Sequence, residues 1–380
     1  MISLVISLAM TSASLRPPGS EPGQGGGVAG DDDLIRRPED LSAAWLTSVL
    51  GAGAVASFTV EPIGTGQMSD SFRVGLSYAD GRDAGPGSVV LKVASSDETS
   101  RSTGVGLGAY EREIRFYREV APSVEGPIAT CHHATYDSDN GWFTLLLEDA
   151  APAEQGDQIA GCDPGQAALA LTELAKIHAS TWEDERLEAK PWLNQPNLLN
   201  QELVAQLLPG FLERYAERLA PEHREVCERF VAGLDGWLAA RPRPFAIQHA
   251  DYRLDNLLFG LSGSPKPLTV VDWQTVSFGP AMLDASYLLA GSLVVEDRRA
   301  HEEELLRGYH HALLSHGVNG FSREACWEGY RHQAFHGVLM AVAASMLVVR
   351  TARGDDMFMT SLARGAQQVL DLDALELIDP

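Results

Sequence analysis

His249-Ala-Asp251-Tyr-Arg-Leu-Asp-Asn256 sets a carboxylate shortly ahead of a side-chain amide, and a second carboxylate, Asp272, follows the apolar run Leu268-Thr-Val-Val271. These types in this order suit transfer of a phosphoryl group. A hydroxyl that attacks phosphorus must be oriented and relieved of its proton, and a carboxylate within hydrogen-bond reach can do both. Magnesium prefers hard oxygen ligands, so an amide oxygen and a carboxylate suit it, with phosphate oxygens and waters completing the octahedron. On this chemistry Asp251 is the base, and Asn256 and Asp272 hold the metal.

Such spacing arises by chance in long chains, and polar residues so placed also cap turns. Other positions favour the chemical reading. Lys92 lies in Val-Val-Leu-Lys-Val, an apolar strand-like run in which a lysine is costly to bury unless anions pair with it. Further on, Glu113 stands on the helical stretch Tyr110-Glu-Arg-Glu-Ile-Arg-Phe-Tyr-Arg-Glu-Val120. A lysine held by a helix glutamate and reaching the α- and β-phosphates is the kinase arrangement, and H-x-D-x-x-x-x-N is the spacing of the kinase catalytic loop. The implied cofactors are ATP and Mg2+.

Positioning these groups requires two kinds of structure. Residues 1–33 are read as a disordered tail: the segment 11–33 is rich in Ser, Pro and Gly. The apolar start, residues 1–10, lacks the basic flank of an export signal and reads as a floppy tail or misplaced start. A first lobe is expected over 34–149. It holds a short helix at 41–50, strand-like runs at 58–60, 72–76 and 89–93 between Gly-rich turns, a helix over 109–120, and a run at 142–147. From 150 to 380 helical periodicity dominates, with segments at 164–181, 200–219, 221–240, 298–316, 322–350 and 357–372. The short apolar runs of 245–274 interrupt them and bracket the polar constellation.

Leu174-Ala-Lys-Ile-His178-Ala, the Leu145-Leu-Leu-Glu-Asp149 strand end and Phe278-Gly-Pro-Ala-Met-Leu-Asp284 complete a likeness. With the catalytic stretch, they make the chain resemble the aminoglycoside phosphotransferase and choline kinase superfamily, nearest its ecdysteroid kinase-like branch. The resemblance runs from about Glu61 to the C-terminal helices. It implies an α+β, protein-kinase-like bilobal fold with a small β-rich N-lobe and a larger, mostly helical C-lobe. It also implies that Ile63-Gly-Thr-Gly-Gln-Met-Ser-Asp-Ser71 covers the phosphates. Gly64 and Gly66 would allow close backbone approach, and Ser69 and Ser71 would donate to phosphate oxygens. The third glycine of the usual G-x-G-x-x-G is replaced by Ser69. Glu148 and Ala150 look like the hinge whose backbone pairs with adenine. Asp272-Trp-Gln stands where protein kinases carry D-F-G, which argues against a protein substrate.

Composition narrows the partners. With 29 Lys and Arg against 52 Asp and Glu, the net charge is −23, the opposite of what nucleic-acid or cationic membrane-surface binding needs. Four cysteines lie far apart without a C-x-x-C pair, which fits a reducing cytoplasm. The apolar run 338–349 falls short of the roughly 20 residues of a bilayer span and reads as a core helix. No P-loop and no G-x-S-x-G elbow occurs. His332 and His336 stand one helical turn apart without a third ligand, His178 and His249 read as scaffold, and Arg253 as a local salt bridge. Asp284 reads as an architectural acceptor, and His132, His133, His310 and His311 as surface or boundary residues. The expected partner is a small-molecule alcohol. An amino-sugar, a choline-like alcohol, a sterol or a hydroxyacyl thioester each fits, and Trp327, Tyr330 and Phe335 tilt the reading toward a lipophilic acceptor. Oligomeric state is not legible. Two other classes stay open: a catalytically inactive nucleotide-binding regulator, and a helical binding protein whose motifs are coincidental.

Overall fold

The computed structural model describes residues 33–64, 68–79, 81 and 85–378. The expected disordered tail, residues 1–33, lies outside these residues except at Asp33. The chain divides into two compact units, one running to Pro122 and resuming over Ala129–Asp149, the other made of Ser123–Ile128 and Ala150–Pro380.

The first unit contains α1 (Ala43–Leu50), β1 (Val55–Ile63), β2 (Ser69–Tyr78), β3 (Ser88–Ala94), α2 (Glu98–Gly106), α3 (Ala109–Arg115), β4 (Cys131–Asp137) and β5 (Trp142–Glu148). Its strands form one antiparallel sheet in the order β1-β2-β3-β5-β4. Strand side chains alternate between faces. Val89, Leu91 and Val93 of β3 therefore join Ile35, Leu46, Val74 and Leu146 in the core, while Lys92 between them turns to the other face. Two elements had no clear sequence signal. The α2 segment is rich in Ser, Thr and Gly, poor helix formers, and starts where Asp97 Oδ1 accepts the Ser100 N–H at 2.8 Å. Strand β4 is only half-buried. The expected helix over 109–120 is α3 continued by a wider π turn, Phe116–Val120.

The second unit contains β6 (Ala153–Gln155), α4 (Pro164–Ser180), α5 (Gln201–Arg214), α6 (Pro221–Ala240), β7 (Phe245–Gln248), β8 (Leu257–Gly260), β9 (Leu268–Val270), β10 (Ser277–Pro280), α7 (Met282–Ser292), α8 (Val295–Ser315), α9 (Arg323–His332), α10 (His336–Leu347) and α11 (Ala352–Asp371). Strands β6, β8 and β9 form one small sheet in that order, and β7 pairs with β10. All of α7 is buried. A helix buried on every side has no solvent-facing polar stripe and hence no clear 3.6-residue signature, which is why its sequence pattern is silent. The single helix expected over 322–350 is two. Trp237 Nε1 takes the His332 carbonyl at 2.7 Å, and the His336 N–H bonds to Gln333 instead, so a tight turn separates α9 from α10. Among the described residues, no helix is long and apolar enough to cross a membrane.

Candidate active site

The segment after β7 turns sharply because Ala250 is left-handed, with φ 61°, a conformation unfavourable for alanine. Asp284 on α7 holds it there. This carboxylate is fully buried and accepts the His249 N–H at 2.7 Å and the Ala250 N–H at 2.8 Å. His178 of α4 stands beside it, with Nε2 3.6 Å from Asp284 Oδ2 and Nδ1 2.6 Å from the Tyr309 hydroxyl. His249 uses all its polar groups: Nε2 donates to the Val271 carbonyl at 2.9 Å, Nδ1 accepts the Asp251 N–H at 3.2 Å, and its own carbonyl accepts from Thr275 Oγ1 at 2.7 Å. Both histidines and Asp284 thus serve the loop's architecture.

This anchoring presents Asp251, whose side chain is 19% exposed. Arg253 Nε lies 3.0 and 3.1 Å from its two oxygens. Asn256 Nδ2 donates to both the Asp251 carbonyl and Oδ2, each at 2.9 Å. The Tyr287 hydroxyl is 3.4 Å from Oδ1. Burial, reinforced by Asp251, pushes the Tyr287 hydroxyl well above the ordinary phenol range, so it stays a donor. Burial alone would lower the Arg253 pKa, but Asp251, Tyr287 and Asp255 outweigh it and hold it above the usual arginine value.

The amide of Asn256 is spent on Asp251, which turns its Oδ1 into the atom available to a hard cation. Asp272 follows β9 in the left-handed region, φ 68° and ψ 61°, which aspartate tolerates better than most residues. Trp273 beside it is fully buried, its ring 4.7 Å from that of His249. An amide oxygen and one carboxylate fit magnesium, which takes few protein ligands and completes its shell with phosphate and water. No cluster of three or more His, Cys, Asp or Glu able to hold a metal occurs among the described residues.

In the first unit Lys92 Nζ is 2.8 Å from both carboxylate oxygens of Glu113; the two residues are 8% and 1% exposed. Ser71 lies across from Lys92 in the β2–β3 register, and Ser69 across from Ala94. Gly64 has φ 72°, a turn geometry that favours glycine; Gly66 lies outside the described residues. Glu148 ends β5 with its N–H on the Thr130 carbonyl at 2.8 Å, and its Oε2 accepts from Thr130 N and Oγ1 at 2.9 Å. The second unit resumes at Ala150, which is buried.

Several residues at this site escaped the sequence reading. His336 of α10 brings Nε2 to 2.9 Å from the Ala250 carbonyl, and burial lowers its pKa. Its ring packs edge-on to Tyr287 at 4.9 Å. Tyr287 had a usable signal, since it lies three residues after Asp284 and so shares its helix face. Asp255 had none. Its 11% exposed carboxylate receives Arg253 at 2.6 Å and Arg353 of α11 at 3.1 and 3.3 Å. The aromatic residues that suggested a lipophilic acceptor are largely core: Phe335 stacks on Phe230 at 4.9 Å, and the Tyr330 hydroxyl donates to Glu302 at 2.8 Å. They give no information on the acceptor. His310, expected near the surface, is buried against the Phe321 carbonyl.

Comparison with known proteins gives the family and the fold. The ecdysteroid kinase-like family model matches residues 64–317. An uncharacterised kinase-like protein of Caenorhabditis elegans is 29% identical over 187 residues, covering 46% of this chain and 48% of that protein. The chain thus matches about half the length of that curated relative. A Ralstonia eutropha protein provisionally assigned as an aminoglycoside phosphotransferase gives a TM-score of 0.53 at 17% identity, over 89% of this chain and 98% of its own. Choline kinase from Cryptosporidium parvum gives 0.51 at 10% identity, over 84% and 92%. Such distant likenesses speak for the fold alone, and that fold is the kinase-like α+β class. The family match spans both the Lys92–Glu113 pair and the Asp251 loop: the chain belongs to the ecdysteroid kinase-like family.

Proposed function

We propose that the chain is an ATP-dependent small-molecule kinase that phosphorylates an alcohol hydroxyl, with Asp251 as base. The observation that carries this reading is the setting of Asp251: a partly exposed carboxylate gripped by Arg253 and Asn256 on a loop anchored by Asp284. So much positioning around one partly exposed acid suits a group that must orient an incoming hydroxyl.

In the proposed step the acceptor oxygen forms a bond to the γ-phosphorus. The bond from that phosphorus to the bridging oxygen breaks, and its electron pair leaves with ADP. The hydroxyl proton passes to Asp251 and then to solvent. Lys92, steadied by Glu113, would counter charge on the α- and β-phosphates, and Ser69 and Ser71, with Gly64 and Gly66, would line the phosphate loop. The backbone of Glu148 and Ala150 would meet the adenine. Asn256 and Asp272 would hold magnesium, which when bound supplies charge neutralisation at the phosphates. The acceptor is a small molecule, and a cytoplasmic setting agrees with four free thiols.

The test is ADP release from Mg-ATP across a panel of aminoglycosides, choline-like amines, sterols and hydroxyacyl-CoA esters, with Asp251→Asn alongside. Acceptor-dependent release that the variant lacks is expected. Mg-ATP that neither turns over nor shifts the melting temperature would refute the reading.

A further inference from the structure

The Asp251 carboxylate is the first member of a row of alternating charges. Arg253 touches it through Nε and touches Asp255 through Nη1 at 2.6 Å. Asp255 in turn meets Arg353, whose Nη2 and Nη1 lie 3.1 and 3.3 Å from its two oxygens. Arg353 also comes within 3.9 Å of Asp157. Arg353 lies on α11, 98 residues beyond Asp255 and outside the stretch matched by the family, 64–317. We propose that Arg353 is a positioning residue for the transfer, acting through Asp255 and Arg253 to fix the orientation of the Asp251 carboxylate; this rests on the function proposed above.

Most exposed ion pairs contribute little, and Arg353 is 57% exposed. The difference lies in what it meets. Asp255 is nearly buried, and its Oδ1 also accepts the Gln158 N–H at 3.0 Å. Burial would raise the pKa of Asp255; Arg353 and Arg253 outweigh it and keep the carboxyl below the ordinary range. The four groups Asp251, Arg253, Asp255 and Arg353 balance to zero charge. Without Arg353, Asp255 turns its full charge on Arg253, whose planar fork must serve two carboxylates at once. A rotation toward Asp255 loosens the Nε contact with Asp251.

The helix bearing Arg353 is itself tied to this region. Arg364, further along α11, donates to the carbonyls of Gln158, Ile159 and Gly291 at 2.9 to 3.0 Å. Gln158 then accepts the Leu254 N–H through Oε1 at 2.8 Å. The 157–159 segment, the catalytic loop and α11 therefore form one hydrogen-bonded body. Within it, Arg353 is the member whose charge reaches the base.

The experiment compares full-length wild type with Arg353→Gln, Arg353→Lys and Arg350→Gln. Arg350 pairs with Asp355 at the same helix end and takes no part in the row, so its variant reports on general loosening of α11. The first readout is the NMR signal of the Arg253 side-chain Nε–H, assigned with Arg253→Lys. Exchange about tenfold faster or more in Arg353→Gln, with Arg353→Lys and Arg350→Gln near wild type, supports the proposal. An unchanged Arg253 signal in Arg353→Gln overturns it. The second readout is hydrolysis of Mg-ATP with water as acceptor. A fall in kcat of about tenfold with KM for ATP unchanged, recovered largely by Arg353→Lys, is expected. An unchanged kcat, or an equal fall in Arg350→Gln, overturns the positioning role. Wild type that hydrolyses no Mg-ATP and phosphorylates no acceptor overturns the kinase reading, and the Arg253 signal then decides the coupling alone.

Discussion

Replacing Asp284 with asparagine isolates the contact on which the Asp251 loop rests. The carboxylate is fully buried and accepts two backbone N–H groups, from His249 at 2.7 Å and Ala250 at 2.8 Å. Hydrogen bonds to a charged group contribute about 1.5–3 kcal/mol each, and a buried donor left unsatisfied costs about 1–3 kcal/mol. Asparagine keeps one acceptor oxygen but must point its amide nitrogen at the other N–H, so one bond is lost and one weakened. The expected loss is about 2–4 kcal/mol, and Asp284→Ala should lose more. The left-handed turn at Ala250, itself unfavourable by about 1–2 kcal/mol, then has less to hold it. Hydrogen exchange provides the assay. The amides of His249 and Ala250 should be protected in the wild type and exchange rapidly in Asp284→Asn, while urea unfolding of the second unit reports the stability change. A variant within about 0.5 kcal/mol of wild type with both amides still protected would refute the anchoring role.

Acidification should destabilise the second unit through His336. Because burial lowers its folded pKa below 6.5, the unfolded chain binds the proton first. Stability is complete above pH 6.5 and falls as the pH drops from there toward the folded value, by up to about 1.4 kcal/mol per pH unit in that window. Melting temperature against pH checks this: His336→Gln should flatten the acid limb, and an identical limb in both proteins would remove His336 as its cause. Lys92→Met strips the lysine from a glutamate that is 1% exposed, and should destabilise the first unit by about 3–5 kcal/mol, with much of that recovered by adding Glu113→Gln. Urea unfolding of the single and double variants decides it, and no recovery would mean the pair is not what holds Glu113. Arg298 is 1% exposed and joins Glu302 at 2.7 Å and also Asp371. Arg298→Met should cost about 3 kcal/mol or more for the same reason, and an unchanged thermal midpoint would count against it.

What could be read from the sequence was carried by short spans. The interval from Asp251 to Asn256, the apolar lead into Asp272 and the lysine inside a β3 pattern are local facts, and so is Asp284 as an acceptor near the next turn. What stayed hidden depends on contacts distant in sequence. His336 meets Ala250 across 86 residues and Arg353 meets Asp255 across 98, and nothing in either neighbourhood marks the pairing. Helix α7 was missed for a different reason, since burial on every side erases periodicity. The acceptor was not legible because Tyr330 and Phe335, which hinted at it, pack into the core.

The row of charges ending at Arg353 also has a consequence in time. A chain is made from its N-terminus at about 5–20 residues per second. The interval between Asp255 and Arg353, 98 residues, therefore occupies about 5–20 s. Within that interval, from Asp272 until His336 is made, every motif residue from Lys92 to Asp272 already exists, while two props of the loop, His336 and Arg353, have yet to be made. A nascent chain arrested there would carry the complete signature with the Asp251 loop short of these two supports. Maturation of the site is thus tied to synthesis of a helix that contributes no motif residue of its own.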